Sequence, residues 1–363
     1  MDEIKKHGNL YGKIIDIGNL NKASKQAKKS IDKDNLIKMK QVEYFENNKG
    51  KLLLKLRNDL KNRKFTTNEY NIYTINDRGK TREIYDLPFY PDRIVHWAML
   101  LQTEEIFKNL FIHDSYAAIK GKGGHKSLKR ARKWIIENPE ETRYCLKIDI
   151  KKFFPNIKQN ILYNLIKRKF KDKDLLWLFE DIIYSTKSGL PIGNLTSQYL
   201  GNYYTNWFDY YCKHDLKIEY MQKYMDDYIF FSNSKDELRR KKYKMDKYLK
   251  DNLGLKIKGN WQIFPTRVRG IDFIGYRNFG EYVLLRKSIV KKYKTKMNGY
   301  LKFAKYNGYI TKNMYISINS YGGWLQWCNS YDLYTKYTKP LEPYLEKYHR
   351  EMILNESTIN SKT

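Results

Sequence analysis

Thiols are scarce in this sequence: Cys145, Cys212 and Cys328 are the only three in 363 residues. Their odd number and wide spacing, with no C-x-x-C pair, argue against a disulfide framework or a cysteine zinc site and fit a reducing cytosol. The six histidines stand singly, which leaves them structural roles. No apolar run approaches the roughly 20 residues of a membrane span. The opening Met1-Asp2-Glu3-Ile4-Lys5-Lys6 lacks the apolar core of a secretory signal. Acids are also in deficit, 40 against 70 Lys and Arg, and the net charge of +30 calls for a polyanionic partner. With no membrane segment, nucleic acid is the partner expected. A mean hydropathy of −0.76 would suit a disordered tail, but 33 tyrosines and 15% aromatic residues supply a core. The length suits two or three subdomains.

Residues 1 to about 45 are polar and Lys-rich and read as an N-terminal extension or surface helix. Leu52–Asn62 has the spacing of an amphipathic helix. Tyr70–Ile75 alternates like a strand, Asn76-Asp77-Arg78-Gly79 is a turn, and Lys80–Tyr85 returns, giving a hairpin with Arg78, Lys80 and Arg82. Basic residues on an exposed hairpin also serve simply to discourage edge pairing. Asp92 is expected to cap a helix lined by Ile94, Trp97, Ala98 and Leu101. The loop Lys120–Lys126 has glycines and lysines suited to phosphate contact but lacks the P-loop spacing. Residues 158–185 are helical, and Ser188–Gln198 is a Gly/Pro-shaped loop that feeds a further helix.

Two stretches place acids among apolar residues. Tyr144–Ile150 reads as a buried strand ending at Asp149. Tyr224-Met225-Asp226-Asp227 contains the one Asp-Asp dipeptide of the chain, at a turn between two apolar, aromatic strands. Adjacent carboxylates repel unless a cation is held between them, and Mg²⁺ is the hard ion that carboxylate oxygens select. A solvated Asp-rich turn, and for Asp149 a helix cap or ion pair, are the plain alternatives. Three acids on adjacent strand ends can hold two Mg²⁺ roughly 3.5–4 Å apart, the arrangement of phosphoryl transfer in polymerases and also in nucleases.

From about residue 50 to 345 the chain resembles reverse transcriptases. Tyr224-Met225-Asp226-Asp227 is similar to their Y-x-D-D box, and Leu146–Pro155 to their first catalytic box. The resemblance implies an α+β right-hand polymerase with palm, fingers and helical thumb. It implies fingers at 46–143, a palm at 144–280 with fingers helices inserted at about 158–187, and a thumb with C-terminal tail at 281–363. It makes Asp149, Asp226 and Asp227 catalytic metal ligands, with the Ile150 carbonyl as an extra one, for two Mg²⁺ that Mn²⁺ can replace. Phe154 becomes the aromatic gate against a ribose 2′-hydroxyl, although an aromatic after a strand is more often core. Lys80 and Arg82 bind the triphosphate, while Ile192, Gly193 and Gln198 line the nucleotide and template base. Lys258 aligns with the lysine that protonates pyrophosphate, and Phe273, Gly275 and Tyr276 with the primer grip. The implied partners are an RNA template, a DNA or RNA primer and dNTPs, with no membrane, in a bacterial or phage-encoded cytoplasmic protein.

The loop form Ile192-Gly193-Asn194-Leu195-Thr196-Ser197-Gln198 narrows the resemblance to diversity-generating retroelement reverse transcriptases. Asp114-Ser115-Tyr116-Ala117, Lys120-Gly121-Lys122-Gly123, Arg269–Tyr276 and a Trp324-containing thumb are similar to that group. Such enzymes copy template adenines inaccurately, for gene diversification, with a small basic oligomeric accessory protein. A reverse transcriptase of an antiphage defence system and a catalytically inactive RNA-binding scaffold are the competing readings.

Overall fold

A computed structural model describes residues 6–32, 34–77 and 80–360, without the side chains of Asp77, Lys80 and residues 354–360. Four helices come first, α1 (Tyr11–Ile14), α2 (Ile17–Lys29), α3 (Leu36–Asn47) and α4 (Lys49–Lys61), followed by the hairpin β1 (Asn71–Asp77) and β2 (Lys80–Asp86). The helices α5 (Ile94–Lys108) and α6 (Gly124–Glu137) lead to β3 (Tyr144–Asp149). After α7 (Phe153–Asn156), α8 (Gln159–Lys169), α9 (Lys173–Tyr184), α10 (Leu195–Tyr204) and α11 (Asn206–Tyr210) come β4 (Met221–Tyr224) and β5 (Asp227–Ser232). Then follow α12 (Lys235–Leu253), β6 (Gln262–Pro265), α13 (Thr266–Arg269), β7 (Ile271–Phe273), β8 (Tyr276–Asn278) and β9 (Val283–Leu285). The chain closes with α14 (Lys287–Asn307), α15 (Lys312–Leu325), α16 (Tyr331–Leu333) and α17 (Glu342–Asn360). Among the described residues no helix is long and apolar enough to cross a membrane.

The chain divides into two compact units. The first comprises the residues up to Gly123, Leu146–Phe230 and Asp236–Gln262. Its sheet sets β4, β5 and β3 side by side. The apolar runs of β3 and β5 are there because both are buried: Leu146, Ile148, Ile229 and Phe230 are all at most 1% exposed. The antiparallel register runs from Met221↔Phe230 to Tyr224↔Asp227, so Met225 and Asp226 form a two-residue turn. A third segment lies parallel along β4. Ser115 bridges Lys223, whose N–H donates to the Asp114 carbonyl (3.0 Å) while its own carbonyl accepts from Tyr116 N–H (3.1 Å).

The first 45 or so residues, expected as a polar extension or surface helix, contain α1, α2 and most of α3. Leu20, Ala23 and Ala27 of α2 are fully buried, and Asn19 Nδ2 donates to the Ala98 carbonyl of α5 at 3.1 Å. Small residues on a Lys-rich helix let it approach α5 closely, which hydropathy alone underrates. Asp92 does not cap α5, which begins at Ile94 with no side-chain cap. It is buried and accepts from Asn68 N–H (2.9 Å) and Nδ2 (2.7 Å), a local demand that outcompetes the helix end. The single helical region expected at 158–185 is two helices: α8 stops at Lys169, where Phe170 turns extended, and Asp172 then caps α9 through Leu175 N–H.

The second unit comprises Gly124–Cys145, Phe231–Lys235 and the residues from Ile263 on. It contains the antiparallel sheet β7-β8-β9. The β7–β8 turn is Ile274-Gly275, with φ of +45° and +91°, the handedness that two-residue hairpins require. Tyr276, Leu285, Tyr293, Met297, Ile318 and Leu325 are part of its apolar core. The three-residue strand β9 and the four-residue β6 were not expected, being too short to show alternation.

Candidate active site

The three singled-out carboxylates come together in the first unit. Ile150 N–H, next after Asp149, donates to the Asp226 carbonyl at 3.1 Å, so the end of β3 is tied to the hairpin turn. The turn itself demands a left-handed residue, and Met225 supplies it with φ +61°, an uncommon state for a side chain with a Cβ. Such local strain persists only where surrounding structure holds it.

Electrostatics single out Asp227. Its Oδ2 pairs with Lys147 Nζ at 3.3 Å, while its Oδ1 is enclosed and has no hydrogen-bond partner. Burial, with the charges of Asp149 and Asp226 adding and Lys147 opposing, pushes its carboxyl up to about 7. An enclosed, unpartnered acceptor costs roughly 1–3 kcal/mol, more when charged. Asp149 faces Lys258, whose Nζ stands 3.8 Å from Oδ2 and whose N–H donates to the Asp149 carbonyl at 2.8 Å. Among the described residues no three His, Cys, Asp or Glu side chains are grouped to hold a metal as they stand. The ammonium groups of Lys147 and Lys258 supply the positive charge instead. The donor set nevertheless fits a hard divalent ion: all oxygens, mutually repelling, one of them enclosed without a partner.

Phe154 lies beside the hairpin. A Cβ on Gly201 of α10 would stand 3.2 Å from Phe154 Cε1, 3.2 Å from Phe153 Cε1 and 3.6 Å from Met225 Sδ. Glycine inside a helix costs about 1 kcal/mol relative to alanine; here it makes room for both phenylalanine rings and the turn methionine. The loop before α10 is stitched to its surroundings. Leu190 N–H donates to the Phe154 carbonyl (2.9 Å) and Tyr85 N–H of β2 donates to the Ile192 carbonyl (2.8 Å). Gly193, at φ +121°, has the Tyr85 carbonyl 2.9 Å from where a Cβ would lie, so no other residue fits without a shift. Gln198 is exposed on the first turns of α10. Arg82 is exposed on β2, cross-strand from Ile75. Arg78, Gly79 and the Lys80 side chain lie outside the described residues.

The three remaining candidates, Phe273, Gly275 and Tyr276, belong to the second unit. Phe273 and Tyr276 are 4% and 1% exposed and Gly275 is buried with them, so only the half-buried Ile274 of this stretch reaches the surface. Tyr276 OH donates to the Trp324 carbonyl at 3.1 Å. Gly275 is obligatory, since a Cβ there would stand 2.4 Å from the Trp324 ring.

Sequence reasoning missed the groups beneath the hairpin. Lys147 alternates with apolar neighbours on β3 as any solvated lysine would. Asp209 and Lys223 are both fully buried and ion-paired with each other, yet each sits in an unremarked run. Burial pushes the Asp209 carboxyl up to about 6, against the opposing pull of Lys223. A lysine one position ahead of Tyr224, inside the strand that leads to the paired acids, is the signal that was available.

Comparison with known proteins agrees with this geometry. The family described as "Reverse transcriptase (RNA-dependent DNA polymerase)" matches residues 73–277. The chain is similar to the retron Ec73 reverse transcriptase of Escherichia coli, 29% identical over 174 residues, 44% of this chain and 51% of that protein. It is 22% identical over 254 residues to a putative COX1/OXI3 intron 2 protein of Saccharomyces cerevisiae, covering 51% of this chain and 29% of that one. The chain thus spans about half or less of the length of these relatives. Among solved structures, apo telomerase from Candida tropicalis, truncated from its C-terminal domain, overlays with a TM-score of 0.45 at 11% identity, over 63% of this chain and 58% of that chain.

Proposed function

The chain belongs to the reverse transcriptase (RNA-dependent DNA polymerase) family, and on that premise we propose that it extends a primer with dNTPs by copying an RNA template. Its fold is accordingly the α+β right-hand polymerase; we assign fingers to 46–143, palm to 144–280 with inserted fingers helices, and thumb to 281–363. The observation that carries the functional reading is the meeting of Asp149, Asp226 and Asp227 around an enclosed, unpartnered carboxylate oxygen.

Asp149, Asp226, Asp227 and the Ile150 carbonyl would hold the divalent ions, two Mg²⁺ with Mn²⁺ able to substitute. When bound, these ions supply a lowered pKa at the primer 3′-hydroxyl and neutralisation of the leaving pyrophosphate. The protein's own groups do the rest. Phe154, backed by Gly201, fills the space a 2′-hydroxyl would need. Arg82, with Lys80, grips the triphosphate through guanidinium geometry. The Ile192–Gln198 loop, fastened to Tyr85, lines the base pair. Lys258, 3.8 Å from Asp149, is the ammonium able to hand a proton to pyrophosphate. The Ile274-Gly275 turn, supported by Phe273 and Tyr276, grips the primer. Primer extension on RNA with dNTPs and Mg²⁺, comparing wild type with Asp226→Ala/Asp227→Ala, tests this reading; extension that survives the double change would sink it.

The finer reading is a diversity-generating enzyme in the bacterial or phage cytoplasm, working with a small basic accessory protein. It rests on apolar Ile192 in a loop where glutamine would add a hydrogen bond near the nucleotide. Ile192→Gln should then lower misincorporation opposite template adenine, and unchanged error rates would remove this support. Similarity to a retron reverse transcriptase favours a second reading, a retron-type enzyme. A template repeat paired with a variable repeat beside the gene would favour the first, and their absence the second.

A further inference from the structure

Beneath the acidic hairpin lies a buried charge pair with no part in the chemistry just described. Lys223 of β4 and Tyr228 of β5 are cross-strand partners, one step below the closing pair Tyr224↔Asp227. Both reach the same carboxylate on α11. Asp209 Oδ2 is ion-paired with Lys223 Nζ, and Asp209 Oδ1 accepts from Tyr228 OH at 3.0 Å. Lys223 Nζ also donates to Thr205 Oγ1 at 2.9 Å and to the Asn202 carbonyl of α10 at 3.3 Å. All three side chains are fully buried. One carboxylate therefore holds one side chain from each strand of the hairpin, by an ion pair at Oδ2 and a hydrogen bond at Oδ1.

Stability does not explain such a pair. Desolvating two charges commonly costs more than their attraction returns, and well-packed apolar replacements are often neutral or stabilising. What directional bonds supply, and apolar packing does not, is a fixed orientation. Each strand step rises about 3.3 Å, so the clamp sits one residue from Asp227 and two from Asp226. The Lys223 backbone is fixed from the other side as well, by Asp114 and Tyr116.

We propose that Asp209 and Lys223 are positioning residues whose ion pair, extended by Tyr228, sets the angle at which the β4–β5 turn presents Asp226 and Asp227 to divalent metal. The inference rests on the reading of those two acids as metal ligands. The decisive variant is Asp209→Leu/Lys223→Met, which removes both charges together. In the 363-residue chain its thermal midpoint should stay near that of wild type, because the removed desolvation cost of two charges offsets the Tyr228 hydroxyl left without its acceptor. Its Mg²⁺ affinity, measured by calorimetry without nucleotide, and its primer-extension rate should each fall by about 10- to 100-fold, the usual effect of removing a group that orients a metal ligand. Lys223→Arg, which keeps a cation on Asp209, should recover part of both. A folded double variant with wild-type Mg²⁺ affinity and rate would overturn the proposal. If the double variant does not fold, Tyr228→Phe and Thr205→Val decide, since each removes one bond of the clamp; unchanged Mg²⁺ affinity in both overturns it equally. An Asp226→Ala control that binds Mg²⁺ normally would point instead to failure of the metal-ligand reading itself.

Discussion

Two of the hairpin turns among the described residues, Met225-Asp226 and Ile274-Gly275, share a backbone problem and solve it with opposite materials. Each places a non-glycine residue at positive φ, +61° for Met225 and +45° for Ile274. The first rests on a polar lattice of Asp209, Lys223 and Tyr228, with Lys147 against Asp227. The second rests on rings: Tyr276 packs 5.3 Å from Trp324, which in turn leaves no room for a Cβ at Gly275. Apolar packing is non-directional and tolerates small rotations. A turn that only has to keep its shape can use it. A turn that aims carboxylates needs bonds with direction, and accepts their desolvation cost.

The sharpest way to break this contrast is to change the two turns and ask what is lost. Asp226→Ala/Asp227→Ala should reduce primer extension by at least about a thousandfold, the upper range for losing one electrostatic group, while urea unfolding shows no loss of stability. Stability should not fall because the change removes an enclosed carboxylate oxygen that has no partner, which offsets the lost ion pair with Lys147. Gly275→Ala should do the reverse. It adds a left-handed backbone penalty and an overpacked ring, together about 2–4 kcal/mol in denaturant unfolding, with Mg²⁺ affinity unaltered. A mutant at Gly275 that kept its stability would mean the aromatic support is looser than the contact distances require.

A smaller effect should appear at Gly201. Alanine suits the helix better by about 1 kcal/mol, so stability should hold or rise. Its methyl group would press on Phe154, and the ratio of ribonucleotide to deoxyribonucleotide incorporation should shift by about tenfold, the scale of one methyl in a shaped site. Competing-substrate extension measures it, and an unchanged ratio would detach Phe154 from sugar selection.

The effect least visible at neutral pH concerns titration, to which polar support is open and apolar support is not. The helix α10 that bears Gly201 and Asn202 is tied to α5 by Thr196 Oγ1 and His96 Nδ1, 2.9 Å apart. Burial pushes the imidazole down to about 3. Below the ordinary value near 6.5, the unfolded chain takes up a proton that the folded chain refuses. Stability therefore falls as pH drops from about 6.5 toward 3, by at most roughly 1.4 kcal/mol per unit, and is unaffected above that window. His96→Gln should flatten this slope in acid unfolding series; an unchanged slope would show that the histidine does not titrate there.

What the sequence disclosed follows the same division. Turns and apolar strands announce themselves through short-range pattern, so Tyr224–Asp227, Asp149 at the end of β3 and the β1–β2 strands could be found by reading. The loop at Ile192 was legible from its Gly/Pro pattern as one that feeds a helix; that it is stitched to Tyr85, more than 100 positions earlier, is a contact between distant segments. Asp209 and Lys223 pair across 14 positions with no periodic signal, and a buried lysine is spelled like an exposed one. The helix α2 was underrated for a related reason: burial by alanine leaves little trace in hydropathy. Phe273, Gly275 and Tyr276 were legible as a motif, but the burial of all three was not.

The short segment Asp114–Tyr116 has a consequence beyond catalysis. It occupies the outer side of β4 at Lys223, taking up both the N–H and the carbonyl that a bare edge would offer. An open strand edge is a template on which another chain can add itself. Here the stretch next to the acidic turn, rich in aromatic and β-branched residues, is sealed against such addition. The bridge at Ser115 thus also guards this hairpin against another strand adding to its edge.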